Sequence, residues 1–245
     1  MRIYSSSYEL MSEMGRELNS YGQTVKPKTY QNKNIEGNED FVTKEIICQQ
    51  YCLTSLQDPT WLFFYSRSRE WADAEFQERI NTSEVINPGK AWELRKDLWE
   101  QFLVDGKFDY TYNERMVILP YTIQLLRSDS DTRKAVLPIF NGNGEDDTLY
   151  YHDKRIPCSM YYDFLIRENS KREKVLHICY HQRSSDFVTH FGNDVYLAWR
   201  LMEYVAKEVG VKPGYLYHTI DSLHTYQKDW DKLASSLRVF EDTII

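Results

Sequence analysis

The sequence predicts an α+β fold in which a large mixed sheet is flanked by helices. Residues 41–56, 135–140, 156–166, 175–180 and 215–220 are rich in Val, Ile, Tyr and Thr and poor in breakers, as strands are. Between them lie segments whose apolar residues recur at helical spacing. The charged run 167–174 joins two of the strands as a hairpin, which gives the sheet an antiparallel component. At 245 residues the chain can bury a sizeable core, and nothing in its composition divides it, so residues 1–245 are expected to form one domain.

In order, residues 8–19 carry Leu10, Met14 and Leu18 on one helical face and end in the turn-prone Asn19-Ser20-Tyr21-Gly22. Lys26, Lys28 and Lys33 follow in a polar stretch that suits either a phosphate-covering loop or a solvated linker. Residues 41–56 read as extended, with Cys48 and Cys52 expected to be buried. Residues 66–80 form a charged helix containing Arg69, Glu70 and Trp71. Pro88-Gly89 breaks the chain, and residues 91–104 resume as a helix bearing Trp92, Leu98 and Trp99 until Asp105-Gly106 ends it. Residues 110–113 form a polar aromatic turn, 121–127 a helix, and 128–134 an exposed connection closing on Arg133 and Lys134. Residues 141–147 are Gly- and Asp-rich and read as a loop. Pro157-Cys158 opens a Tyr-rich strand, residues 175–180 return beside it, and 195–209 form a helix. Lys212-Pro213-Gly214 punctuates the chain before the last strand, and a short amphipathic helix closes it.

Composition excludes several function classes. A net charge of -7 and a pI near 5.5 argue against a general nucleic-acid or membrane surface, both of which call for clustered cations. The four cysteines lack paired metal spacing, so no metal site is expected and a cytoplasmic chain with free thiols is the reading. No run of eighteen apolar residues occurs. The 19 tyrosines and six tryptophans suit a protein that stacks flat ring ligands, as well as ordinary packing.

The densest chemistry lies in residues 181–194, between a strand and a helix. Gln182, Arg183, Ser184, Asp186, Asn193 and Asp194 crowd this junction, where backbone N–H groups and side chains converge on anions. Arg183 beside Ser184, with Arg133-Lys134 elsewhere, offers a fork and a hydroxyl that match phosphate oxygens. Cys158 follows Pro157 with Arg155 three residues upstream, and a hairpin would bring Arg183 near it; cations favour the nucleophilic thiolate. Glu70 in an aromatic helix is a candidate general acid or base. His224 and Tyr226 stand two apart, on one face of an extended segment.

Pro157-Cys158, Gln182-Arg183-Ser184-Ser185-Asp186, Asn193-Asp194, Lys212-Pro213-Gly214 and His224-Thr225-Tyr226, in this order and spacing, resemble the thymidylate synthase family. The resemblance is closest over residues 158–226 and followable over 70–134. It implies a homodimer joined through a sheet face, and chemistry at C5 of a pyrimidine nucleotide with 5,10-methylenetetrahydrofolate as one-carbon donor. It further implies that Cys158 attacks C6 of the base, that Glu70 is the catalytic glutamate, and that Tyr112 moves protons near C5. By the same resemblance Arg183, Ser184 and Gln182 bind the nucleotide, Arg133 and Lys134 reach the partner's phosphate, and Asn193 joins them. His224 and Tyr226 hold the sugar, Asp186 holds the pterin, and Trp92 lies beside the folate.

One departure bears on the substrate. Thymidylate synthases place an Asn where this chain has Asp194. An amide complements uracil, whereas a protonated carboxyl, or a carboxylate facing a protonated N3, complements the donor–acceptor pattern of cytosine. The Asn193-Asp194 pair resembles the phage deoxycytidylate hydroxymethylases, which add water rather than hydride to the methylene intermediate. Ser184 agrees with deoxyribonucleotide enzymes, whereas Lys134 resembles ribonucleotide-preferring hydroxymethylases, so CMP and dCMP both stand as substrates. A C5-methylase of dCMP or dUMP and a catalytically silent nucleotide-binding homologue are the alternatives. The nineteen residues beyond Tyr226 form a shorter tail than in thymidylate synthases, which is expected to favour hydration.

Overall fold

The structure, a computed structural model, describes residues 1–66, 68–141 and 154–242. Its strands are β1 (Arg2–Tyr4), β2 (Gln23–Val25), β3 (Thr29–Tyr30), β4 (Lys33–Asn34), β5 (Thr43–Leu53), β6 (Val136–Pro138), β7 (Ser159–Glu168), β8 (Lys174–Gln182), β9 (Ser185–Asp186) and β10 (Lys212–Tyr226). Its α-helices are α1 (Ser7–Tyr21), α2 (Arg69–Ile80), α3 (Lys96–Trp99), α4 (Tyr112–Arg115), α5 (Leu119–Ser128), α6 (Gly192–Val209) and α7 (Trp230–Asp242).

An eight-stranded sheet runs β1-β5-β10-β8-β7-β6, with β2 paired to β5 and β9 to β10. β1 is parallel to β5 and β10 to β8, while the β5–β10, β7–β8 and β6–β7 pairs are antiparallel. The sheet is mixed and helix-flanked, as the sequence predicts. A parallel neighbour requires a crossover, and α6 supplies the one between β8 and β10.

Period-two alternation decides which way each strand faces. In β8, Leu176, Ile178 and Tyr180 point into the core while His177, Cys179 and His181 stand half-buried on the second face. In β10, Leu216, His218 and Ile220 point inward and Tyr217 and Thr219 outward. The inward face packs against α1, through Leu10, Met11, Met14 and Leu18, and against α6, through Val195, Ala198, Leu201, Met202 and Val205. Each of the Leu, Met and Val side chains among these contributes roughly 1.5–3 kcal/mol when withdrawn from water.

Several local expectations are corrected. Residues 91–104 do not form one helix but a 3₁₀ turn (Ala91–Arg95), α3 and a second 3₁₀ turn (Glu100–Phe102). The path breaks at Arg95, whose φ of -138° turns its guanidinium over the Trp71 ring, 4.6 Å away. Cys52 is buried but Cys48 is exposed: at φ 54 it leaves the ladder between the paired Ile47 and Gln49, opposite Asp221 and without a change of register. Lys212-Pro213-Gly214 lies inside β10, at a register shift against β8. A Cβ on Gly214 would sit 2.8 Å from the His177 ring and 2.9 Å from Leu176 O, so the bulge requires glycine. Of the loop expected over 141–147, only Asn141 falls within the described residues.

Candidate active site

Close packing fixes where α6 begins. A Cβ on Gly192 would lie 1.8 Å from Leu62 O, so the first turn of α6 sits hard against the 3₁₀ turn Thr60–Phe63. A wide π turn, Phe187–Phe191, feeds into it, and the Asp186 carboxylate caps that turn by accepting from Val188 N (3.2 Å) and Thr189 N (3.4 Å). These contacts place Asp194 at the carboxyl ends of the parallel strands β8 and β10, where an open sheet leaves a crevice. The crevice is a cavity of about 350 Å³ lined by Cys158, Arg183, Ser184, Asp186, Asp194, His224 and Tyr226, with Trp92 and Tyr112 also in its wall.

The β7–β8 hairpin brings Cys158 to Arg183. Arg183 N donates to Cys158 O (2.9 Å), and the guanidinium donates to Pro157 O (2.9 Å) and Ile156 O (3.1 Å), with Nη2 3.9 Å from Cys158 Sγ. Burial pushes the thiol up, Arg183 draws it down, the Asp194 carboxylate pushes it up again, and Arg155 opposes that. Burial is the largest of these effects, so the thiol rests above its ordinary value, and the two arginines draw it back toward the thiolate.

Asp194 is held by a buried relay of fixed polarity. Burial keeps His218 neutral, its pKa lowered to about 3. Its Nδ1 lies 2.8 Å from the Tyr51 hydroxyl and its Nε2 2.8 Å from Gln182 Oε1. An amide oxygen only accepts, so Nε2 carries the proton and Nδ1 accepts from tyrosine. The Gln182 NH₂ then faces Asp194 and donates to Oδ2 (3.0 Å), as does Ser185 Oγ (2.9 Å). Among the described residues both donors converge on Oδ2, which leaves Oδ1 for a ligand. Burial nevertheless raises this carboxyl to about 6, against the pull of those two hydrogen bonds and of Arg79 and Arg95.

Tyr112 starts α4, whose first turn is fixed by a capping box between Thr111 and Glu114. Burial lifts its phenol well above the ordinary value, so it stays a neutral hydroxyl. It accepts from Ser159 N (3.4 Å) and Oγ (3.3 Å), and the Arg79 guanidinium stacks 3.9 Å over its ring. His224 and Tyr226 share one face of β10, with ring centroids 5.2 Å apart.

Four expectations for the site need correction or restatement. Glu70 is exposed and lies outside the cavity. On α2 the inward stripe is Trp71, Glu75, Glu78 and Arg79, and Glu70 falls a hundred-degree step away from it. Glu78 accepts from Ala91 N (2.9 Å) and ties α2 to the next turn, whereas Glu75 pairs with Arg79 (2.8 Å) beside Tyr112. Asn193 does not line the cavity either; it is 1% exposed, donates to Thr189 O (3.3 Å) and accepts from Ser68 Oγ (3.1 Å). Gln182 is fully buried behind Asp194 rather than in the cavity wall. Arg133 and Lys134 are exposed and stand apart from this chain's own cavity.

Sequence reasoning missed Glu75, Arg79 and Gln31. The helical phase of Trp71 and Phe76 was a signal for the first two. Gln31, at the tip of the β3–β4 hairpin with φ 53, lines the cavity with a buried Oε1 that has no hydrogen-bond partner among the described residues. Lys26 and Lys28 pair instead with Glu39 (3.1 Å) and Glu36 (2.9 Å) on the surface.

Comparison with known proteins agrees with this geometry. The thymidylate synthase family model matches residues 69–241, most of the chain. A provisionally named thymidylate synthase of Methanosarcina mazei is 29% identical over 190 residues, covering 71% of this chain and 81% of the relative. Similarly named proteins of Methanococcoides burtonii (28% over 168 residues, 64% and 73%) and Methanocaldococcus jannaschii (29% over 189 residues, 66% and 83%) also match. The chain belongs to the thymidylate synthase family, enzymes of folate-dependent one-carbon transfer to a pyrimidine nucleotide.

Proposed function

We propose that the protein is a pyrimidine nucleotide 5-hydroxymethylase that acts on CMP or dCMP. The observation that carries this reading is Asp194: a buried carboxyl with a pKa raised to about 6, anchored through Oδ2 and sharing a cavity with the thiol of Cys158. Near neutral pH such a group can hold one proton between itself and cytosine N3, and accept from or donate to the amidine edge that uracil lacks. An asparagine there would favour uracil.

In this reading Cys158 adds to C6 of the base, C5 becomes nucleophilic and bonds to the methylene carbon of 5,10-methylenetetrahydrofolate, and the C5 proton leaves. Tetrahydrofolate departs, water adds to the exocyclic methylene, and expulsion of Cys158 restores the ring and leaves a hydroxymethyl group. Glu75 and Tyr112, which face each other across Arg79, are assigned proton transfer; Glu75 takes the role expected of Glu70. Arg183 and Ser184 receive phosphate, and His224 and Tyr226 the sugar. Asp186 and Trp92, both in the cavity wall, fit the folate as a hydrogen-bond acceptor and a flat surface. The reading includes a homodimer through the sheet face of the exposed Tyr161 and the half-buried His177, Cys179, His181 and Tyr217, with Arg133 and Lys134 serving the partner's site.

The names of the relatives favour a second reading, C5 methylation of a uracil nucleotide. Purified protein given methylenetetrahydrofolate and, separately, CMP, dCMP and dUMP decides between them: turnover of a cytosine nucleotide supports the proposal, and turnover of dUMP alone rejects it.

A further inference from the structure

Arg155 is a buried cation for which the described residues supply aromatic rings but no carboxylate. It is 7% exposed and lines the cavity three residues before Cys158. Its guanidinium carbon lies 4.8 Å from the Trp99 ring centroid, 5.2 Å from Phe102, 5.3 Å from Phe108 and 5.2 Å from Tyr110, so aromatic groups surround it on several sides. Its Nε is buried without a hydrogen-bond partner, and among the described residues no carboxylate pairs with it. Asp109 accepts from the Arg155 backbone N–H (2.8 Å) instead.

The acids of the cavity are already served. Glu75 has Arg79, Glu78 has Ala91 N, Asp186 has Val188 N, and Asp194 has Gln182 and Ser185. Ring quadrupoles hold the charge of a guanidinium but leave its in-plane N–H donors unanswered. A desolvated charge with an idle Nε donor is costly unless a partner arrives, and in a cavity the partner is a ligand.

We propose that Arg155 is an oxyanion receptor of this cavity, taking a phosphate or carboxylate group of a bound ligand. This rests on the family reading for the ligands: a nucleotide carries phosphate and a folate carries glutamate carboxylates, and both match the planar fork. The assignment is additional to that of Arg183, whose Nε and Nη2 donate to the Pro157 and Ile156 carbonyls and whose Nη1 is left for the phosphate in the reading above.

The test is calorimetric binding to the wild-type protein and to Arg155→Met, which keeps bulk without charge, and Arg155→Lys, which keeps charge without the fork. The ligands are matched pairs: CMP against cytidine, dUMP against deoxyuridine, and tetrahydrofolate against tetrahydropteroate, which lacks the glutamate. The expected result is a loss of roughly tenfold or more for one oxyanion-bearing member in Arg155→Met, with the partner lacking that oxyanion within about twofold of wild type. Loss confined to the nucleotide pairs identifies phosphate as the source, and loss confined to the folate pair identifies carboxylate. Equal weakening of both members of every pair, or no weakening, overturns the proposal and leaves Arg155 as packing. If Arg155→Met does not fold, Arg155→Lys carries the comparison with the same expected and contrary outcomes at smaller amplitude. Because uracil and cytosine pairs are both run, a wrong choice of base would appear as preference for dUMP without disturbing the Arg155 result.

Discussion

Replacing Asp194 by asparagine should stabilise the protein while changing the base it reads. Burial lifts this carboxyl from 3.8 to about 6. A carboxyl raised in the folded state binds its proton more tightly there than in the unfolded chain. Its contribution to stability is therefore present in full below 3.8 and is lost as pH rises through about 6. The shift is about two units at about 1.4 kcal/mol each, so the ionised form costs the fold roughly 3 kcal/mol at alkaline pH. Asparagine keeps the shape and can accept from Gln182 and Ser185 through its carbonyl oxygen, with its NH₂ toward the ligand. Urea unfolding of Asp194→Asn against wild type should show a gain near zero below about pH 4, growing to at most about 3 kcal/mol at about pH 8. A gain that does not depend on pH, or none, would refute the reasoning that Asp194 is a strained buried carboxylate. Functional sites commonly keep such costs for the sake of chemistry.

Binding of a cytosine nucleotide should take up a proton, so the Kd of CMP measured by calorimetry should rise by up to about tenfold per pH unit above about 6, and Asp194→Asn should remove that slope. The nucleotide phosphate titrates in both proteins and cancels in the comparison. Glu75→Gln should lower kcat by about 10²–10⁴ while Glu70→Gln stays within about twofold; the reverse order in steady-state assays would return the catalytic role to Glu70. Gly192→Ala should lose about 2–4 kcal/mol in chemical denaturation, because Leu62 O is backbone and cannot yield to a methyl group 1.8 Å away. A neutral effect there would mean that the first turn of α6 moves freely, against the account of how Asp194 is placed.

Much of the architecture was legible because periodicity reports burial directly. Leu10, Met14 and Leu18 announce α1, and the alternation from Val175 to Tyr180 announces β8. The parallel pairing of β8 with β10 was not legible, since it depends on how far α6 carries the chain, which no local pattern encodes. Neither was the break at Arg95, where a tertiary contact with Trp71 outweighs the helical preference of its neighbours. For the site, short motifs brought Cys158, Arg183, Ser184, Asp186, Asp194, His224 and Tyr226 together because each lies at a strand end or helix start on the same edge of the sheet. Motif proximity misled for Glu70 and Asn193, since one residue along a helix is a hundred-degree turn and moves a side chain from the cavity to solvent or into the protein. The relay from Tyr51 through His218 to Gln182 joins residues far apart in sequence, and only the folded sheet sets them in line.

The most direct test of the central claim is the mass of the product formed from a cytosine nucleotide and methylenetetrahydrofolate. The account predicts a product heavier by one CH₂O unit from CMP or dCMP, formed without dihydrofolate. A product heavier by CH₂, formed from dUMP together with dihydrofolate and with no reaction of either cytosine nucleotide, would contradict it.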